Sequence, residues 1–302
     1  MPNYYVLDVG HGNSTVLVDT DGVIVIDAGP KTKLLEFLLD HNIHEIDVLL
    51  LSHADKDHIA GVIGLLASEE IRLKRVYLNS DATKDSEIWN ILIYSLWNAH
   101  KKGDLYFEPS LTPHLNGKLD QGEVAVEILA PNQYLAARSP GSKDSKGRTL
   151  TTNSISAVIR LSYNGKPFAL LPGDIDEIGL DNLLEETEDI QAWLVVFPHH
   201  GGKPGNKNVK AFTARFCEAV KPKIVIFSIR DNVKHFPTPV VVETVAESLE
   251  NVRLFSTRSS KVLKAFIEKT GSQLHQDAVG TILVDLTKEP LDVEFINDGI
   301  KE

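Results

Sequence analysis

The chain opens with short β-rich apolar segments separated by polar turns. Residues 4–8, 14–18 and 23–27 predict strands, the last two joined by Asp19-Thr20-Asp21-Gly22. Gly10-His11-Gly12-Asn13 forms a glycine-flanked loop between the first two. The period then changes. Residues 32–39 read as a helix, residues 47–51 as a buried strand, and a further helix starts near His58 and runs through Ile63-Gly64-Leu65-Leu66. Residues 76–78 form a short strand, and Trp89, Leu92, Ile93, Leu96 and Trp97 fall at helical spacing within 87–100. A second β-rich stretch begins near Leu105. It includes a strand at 124–129 and a hairpin of 156–163 with 166–171 about Asn164-Gly165. Strands at 192–197, 223–228 and 281–286 then alternate with helices at 208–220 and 240–249. Hairpins lead into strand–helix alternation twice. This predicts an α/β fold, a four-layer αββα sandwich of two mixed β-sheets. No composition break marks a linker, so residues 1–302 are expected to form a single domain.

Composition narrows the class. With 42% hydrophobic and 24% charged residues the chain is of ordinary globular type, and no apolar run approaches the length of a membrane span. The first residues lack the pattern of a secretory signal, and a single cysteine rules out an intrachain disulfide. A cytoplasmic location away from the membrane is the expectation. The formal net charge of −11 argues against a broad basic surface for nucleic acid. Bound divalent cations would reverse that sign locally.

The candidate chemistry begins in LSHADKDHIAG, residues 51–61, where His53, Asp55, Asp57 and His58 follow a buried strand. One reading is a polar helix start capped by Ser52 or Asp57. Four ligand-type side chains at the rigid end of a strand favour another, a site for hard or borderline divalent cations.

The string resembles the H-x-[HD]-x-D-H signature of the metallo-β-lactamase superfamily. YYVLDVGHGNSTVLVDTDGVIVIDAGP resembles the opening of its ComEC-type branch, named for the DNA-uptake channel protein of competent bacteria. TTNSISAVIRL, ALLPGDI and VVFPHHGG resemble that branch's later elements in the same order. Only its hydrolase domain is matched, so a soluble, free-standing version of that domain is the expectation. The resemblance implies a two-metal site holding Zn2+ or Mn2+. His53 and Asp55 would bind one ion, Asp57 and His58 the other. Asp174 would bridge them, with His199 or His200 completing the second. Asn153 stands where many members have a further histidine, and its carbonyl is a weaker donor. Asp55 stands where the commoner form has an imidazole. A carboxylate there adds negative charge and a harder oxygen, which suits Mn2+ as well as Zn2+. Two ions about 3.5–4 Å apart clamp both oxygens of an in-line displacement, so phosphodiester cleavage follows.

Other residues extend the site. Asp57, Asp174 and His11 are the catalytic candidates. His11 stands where the branch usually has Gln. It reads either as a hydrogen-bond donor or proton shuttle beside the metals, or as a loop histidine that packs locally. Asp27 is expected to orient a ligating histidine, and His235 reads either as facing the substrate pocket or as a solvent-exposed loop histidine. Residues 138–152 form an exposed loop carrying Arg138, Lys143, Lys146 and Arg148. The loop reads either as a solvated insertion or, the favoured reading, as a lid in which Arg148 and its neighbours would contact phosphates, with Lys203 and Lys207 extending the rim. Cys217 lies on an apolar helix face. The leading expectation is a metal-dependent hydrolase, a phosphodiesterase or nuclease acting on short or single-stranded nucleic acid or nucleotides. The alternatives are a small-molecule hydrolase of the same fold, acting on a phosphorylcholine-type ester, cyclic nucleotide or lactone, and a metal-binding regulatory module without catalysis.

Overall fold

The computed structural model describes residues 2–205, 208–231, 236–270 and 279–296. His235 and Lys207 lie outside the described residues. In chain order the first half runs β1 (Asn3–Val6), β2 (Thr15–Asp19), β3 (Gly22–Ile26), α1 (Lys33–Asp40), β4 (Glu45–Ile46), β5 (Val48–Leu51), α2 (Lys56–Ile59), α3 (Gly61–Ala67), β6 (Arg72–Leu73), β7 (Arg75–Leu78), α4 (Glu87–Lys102) and β8 (Tyr106–Glu108). The second half runs β9 (Val124–Ala130), α5 (Gln133–Arg138), β10 (Val158–Tyr163), β11 (Lys166–Leu171), α6 (Glu177–Glu186), β12 (Leu194–Val196), α7 (Val209–Val220), β13 (Ile224–Phe227), α8 (Pro239–Ser248), β14 (Arg253–Ser256), α9 (Lys261–Thr270), β15 (Thr281–Asp285) and β16 (Glu294–Ile296).

Two large mixed sheets result, in the orders β16-β15-β1-β2-β3-β5-β7-β8 and β14-β13-β12-β11-β10-β9. Each joins an antiparallel part, β1–β2–β3 or β9–β10–β11, to a parallel part reached through helices. Period-two alternation divides the side chains between layers. Val48 and Leu50 face the other sheet, where Val126, Ile159, Phe168 and Leu194 share their core. Leu49 and Leu51 face outward into a cluster with Phe37, Leu38, Leu65, Trp89 and Leu92 of the helices. Helices α6 to α9 cover the second sheet in the same way, through Leu180, Phe216, Val242 and Leu263. Helix layers therefore lie outside two packed sheets, the predicted αββα arrangement. Tyr4 and Phe168 meet edge to face across the sheets, centroids 5.5 Å apart. Burial of each ring contributes roughly 1.5–3 kcal/mol.

Two expectations change. The helix expected from His58 onward is broken into α2 and α3. The break follows from the neighbouring turn: Ala28 N–H donates to the His58 carbonyl at 2.7 Å, and Gly61 N–H donates to the Ala28 carbonyl at 2.9 Å. A side chain at position 61 would meet the Gly29 carbonyl at 2.5 Å, so this close approach requires glycine. The 138–152 loop is also more tightly built than expected. Asp144 is buried and accepts from the backbone N–H of Lys146 and of Arg148, and Lys143 and Thr149 form an isolated β-bridge.

Candidate metal centre

The site lies where parallel strands of both sheets end. β3 and β5 run side by side, so their following residues, Asp27 and Ser52, are neighbours. Asp27 is fully buried and adopts φ 59°, a left-handed conformation that costs energy outside glycine. That turn aims its carboxylate across the strand end. There it accepts from Ser52 N–H at 2.7 Å, Ser52 Oγ at 2.9 Å, His58 Nδ1 at 2.7 Å and Asn13 Nδ2 at 3.3 Å.

These bonds assign the tautomers. With its proton on Asp27, Ser52 Oγ accepts from His53 Nδ1 at 2.9 Å. Both imidazoles thus use Nδ1 as donor. Their Nε2 atoms are buried and have no hydrogen-bond partner among the described residues. His58 Nε2 lies 3.5 Å from Asp174 Oδ1, and His53 Nε2 lies 3.9 Å from Asp174 Oδ2. Buried ring nitrogens without a partner need a satisfying group. A divalent cation between two imidazole nitrogens and a carboxylate is chemically suited to that place, so the residues fit a metal.

Asp174 arrives from the second sheet, in the turn after β11. Gly173 precedes it at φ 52°, and a Cβ there would lie 2.3 Å from Ser156 Oγ and 2.8 Å from Ser52 Cβ. Glycine therefore lets the two strand ends meet. Asp174 Oδ1 accepts from the backbone N–H of His199 at 3.0 Å.

Two clusters emerge. His53, His58 and Asp174 place one ligand atom each within 4.8 Å of the others, as do His11, Asp57 and His200. The grouping departs from the pairing implied by the motif. His58 sits with His53 at a ring separation of 4.1 Å, because Asp27 and Ser52 brace both. Asp57 turns instead toward His200 Nε2 at 3.2 Å and His11 Nε2 at 3.9 Å. His199 and His200 both adopt positive φ, 52° and 55°, which sends successive side chains to different partners. His199 Nδ1 lies 3.4 Å from Asp174 Oδ2, and its Nε2 lies 3.2 Å from the Ile175 carbonyl. Asp55 stands at the edge of the inner cluster, its Oδ2 3.5 Å from His53 Nε2.

The electrostatics follow from these contacts. Burial opposes ionisation of Asp174, but His58 and His199 hold it well below the usual carboxylate range. Burial likewise opposes charge on Asp57, which His200 and His58 hold low, and on Asp55, which His53 and Lys84 bring down to about 2. Burial also disfavours a charged His58, yet Asp27 and Asp174 keep its proton well above the ordinary histidine range. His11 moves the other way, since burial, helped by His200, pushes it down to about 4. A neutral His11 near neutral pH is the result.

The remaining predicted residues divide. Asn153 Oδ1 is buried and lacks a hydrogen-bond partner among the described residues. Arg148 does not fit its expected role as a free phosphate contact. Its Nε donates to Asp144 at 2.7 Å and its Nη1 to Asp181. Lys146 pairs with Glu185, and Lys143 donates to Thr149 Oγ1. Arg148 and Lys146 of the expected basic rim are therefore neutralised by carboxylates within the protein. Sequence reasoning missed Ser52 as a brace, although it directly precedes His53. It also missed Lys84, whose Nζ pairs with Asp55 Oδ1. No local pattern marked Lys84, which the fold brings from 29 residues further on.

Similarities to known proteins agree with this architecture. The model of the metallo-β-lactamase superfamily matches residues 7–227. ComE operon protein 3 of Bacillus subtilis (strain 168) is 24% identical over 300 residues, covering 92% of this chain. The chain spans about a third of that protein's length (34%). Among solved structures, the metallo-β-lactamase fold protein YhfI from Bacillus subtilis superposes with a TM-score of 0.50 at 12% identity, covering 86% of this chain and 98% of that one. The E377D mutant of the CmlA β-hydroxylase gives a TM-score of 0.50 at 11% identity, covering 85% of this chain and 52% of that one. Both likenesses show the fold. Among the described residues no helix is long and apolar enough to cross a membrane. The superfamily consists mostly of metal-dependent hydrolases, and its model covers well over half of the sequence. This chain belongs to the metallo-β-lactamase superfamily.

Proposed function

We propose that this chain is a two-metal hydrolase that cleaves phosphodiesters. The observation that carries the reading is the meeting of two ligand clusters at one strand-end junction, with orphaned imidazole nitrogens aimed at a shared carboxylate. His53, His58 and Asp174, with Asp55 at the edge and the Asn153 carbonyl as a further oxygen donor, hold one ion. Asp57 and His200 hold the other, with His11 beside them. His199 supports Asp174 through its backbone N–H and its ring. Oxygen-rich donors suit Mn2+ as well as Zn2+.

When bound, two divalent ions supply Lewis acidity toward a phosphoryl oxygen and a water-derived nucleophile at neutral pH. The chain's own groups do the rest. Asp27 and Ser52 fix the imidazole tautomers. His11 Nε2, neutral near pH 7, faces Asp57 at the open side of the site. It binds a substrate oxygen or carries a proton there.

The ComEC-type motifs support nucleic acid as the substrate class. A second reading, a nucleotide-sized or other small phosphodiester, is favoured by the pairing of Arg148 and Lys146 with carboxylates. Hydrolysis of bis-p-nitrophenyl phosphate, a labelled single-stranded oligonucleotide and a cyclic dinucleotide by Mn2+- or Zn2+-loaded protein tests both. Metal-dependent cleavage lost in Asp174→Asn supports the phosphodiesterase. Cleavage of the small substrates alone selects the second reading. Two bound ions without turnover of any of the three overturns both.

A further inference from the structure

Lys84 belongs to the segment linking β7 to α4, far from the signature in sequence. That segment is anchored at several points. Asp81 is buried, and its Oδ1 accepts from Thr83 N–H at 3.0 Å and Thr83 Oγ1 at 2.8 Å. Its Oδ2 accepts from Thr152 Oγ1 at 2.6 Å, beside Asn153. Ser139 Oγ donates to the Ser80 carbonyl at 3.3 Å, and Ser86 caps α4 by accepting from Trp89 N–H. An anchored loop of this kind delivers its lysine to one place. The Lys84 side chain is only 25% exposed, and its ammonium takes Asp55 Oδ1. The other oxygen, Oδ2, remains directed at His53 Nε2, 3.5 Å away.

Resting on the two-metal reading above, we propose that Lys84 is a positioning residue. It holds Asp55 to coordination through a single oxygen and thereby sets which divalent ion the inner site prefers. Charge and geometry both enter. A carboxylate in place of an imidazole adds one negative charge, and an adjacent ammonium offsets it. A carboxylate oxygen that accepts from an ammonium is a weaker and more crowded donor to a cation, which favours coordination through the other oxygen. Zn2+ favours four ligands in a tetrahedral arrangement, whereas Mn2+ favours oxygen donors in larger numbers. Freeing Oδ1 therefore favours Mn2+ over Zn2+. Both ions carry two charges, so loss of the ammonium alters their absolute affinities alike. The ratio of the two affinities isolates the number of oxygens.

The test is competitive titration of metal-stripped protein with Mn2+ and with Zn2+ against a fluorescent chelator. In Lys84→Met the Mn2+-to-Zn2+ affinity ratio at one of the two ions rises about tenfold, the scale of losing a partner of a metal ligand. The other ion's ratio is unchanged. Lys84→Gln still donates a hydrogen bond to Oδ1 and keeps the wild-type ratio, which separates geometry from charge. In an Asp55→His background Lys84→Met has no effect on the ratio, as a double-mutant cycle requires. Circular dichroism melts confirm that each variant is folded before titration. An unchanged ratio in folded Lys84→Met overturns the inference, as does an equal shift in the Asp55→His background. Asp174→Asn, titrated in parallel, distinguishes failure of the site from failure of the lysine's role. If it binds both ions as tightly as wild type, the two-metal reading has failed. If it loses metal while Lys84→Met leaves the ratio alone, only the role of Lys84 has.

Discussion

The inner cluster of His53, His58 and Asp174 is buried throughout, whereas in the outer cluster of His11, Asp57 and His200 only His200 is buried. The inner imidazoles are each fixed at Nδ1, one by Asp27 and the other by Ser52. Among the described residues His11 Nδ1 has no such partner, and its ring rests against His200 and Phe236 at 4.5 and 5.2 Å. The contrast reflects where each cluster's geometry comes from. Inner positions are dictated by parallel strand ends and by a carboxylate held in a strained turn, so they are preorganised before any ligand arrives. Outer positions come from a glycine-flanked loop, from α2 and from a turn of consecutive positive φ values, on the more exposed side of the site.

The most damaging single change lies at Asp174, whose two oxygens face His58 and His53. Asp174→Asn is expected to reduce phosphodiesterase activity to background and to weaken retention of the inner ion, as read by elemental analysis after dialysis. His200→Ala should act on the other ion. It is expected to release the outer ion while the inner one stays, so a metal count of two falls to one. Loss of both would show that the clusters are not separable.

Asp27→Asn probes the inner cluster alone. It keeps the shape but removes the charge that orients His58, so inner-ion affinity should fall about 10–100-fold, with the outer ion little changed. Calorimetric titration distinguishes the two classes of site. His11→Gln should leave both affinities within about twofold and lower kcat by about a hundredfold, the range of a lost acid–base group. Full kcat in that variant would assign His11 to packing.

Acid–base behaviour gives a subtler test. In metal-stripped protein the His58 pKa is raised by Asp27 and Asp174. Its contribution to stability is complete below the unfolded value of about 6.5 and is lost as pH rises through the folded value. The melting temperature of stripped protein should therefore fall as the buffer moves upward from pH 6.5. His58→Gln should lack that component.

Much of this was legible in the sequence, for reasons that differ by region. The strand–helix alternation and the ligands in LSHADKDHIAG are local patterns, and the two sheets follow the first closely, while the motif supplied the ligand residues but not their grouping. Asp27 could be read as a brace because it ends a strand. Three features could not be read. The grouping of His58 with His53 depends on which side of the turn Asp27 presses. The capture of Arg148 by Asp181 depends on α6 packing beside the loop. The placement of Lys84 on Asp55 depends on the register of β7 against β5. Each is a long-range consequence of packing with no trace in spacing.

Whether two ions sit side by side in these clusters can be read by electron paramagnetic resonance of stripped protein titrated with Mn2+. Two ions held by adjoining clusters, about 3.5–4 Å apart, are magnetically coupled. The second equivalent should therefore convert the spectrum of isolated Mn2+ into that of a coupled pair, and His200→Ala should keep the isolated spectrum. Saturation at a single uncoupled ion in the wild type, or no bound Mn2+ at all, would refute the paired-ion site.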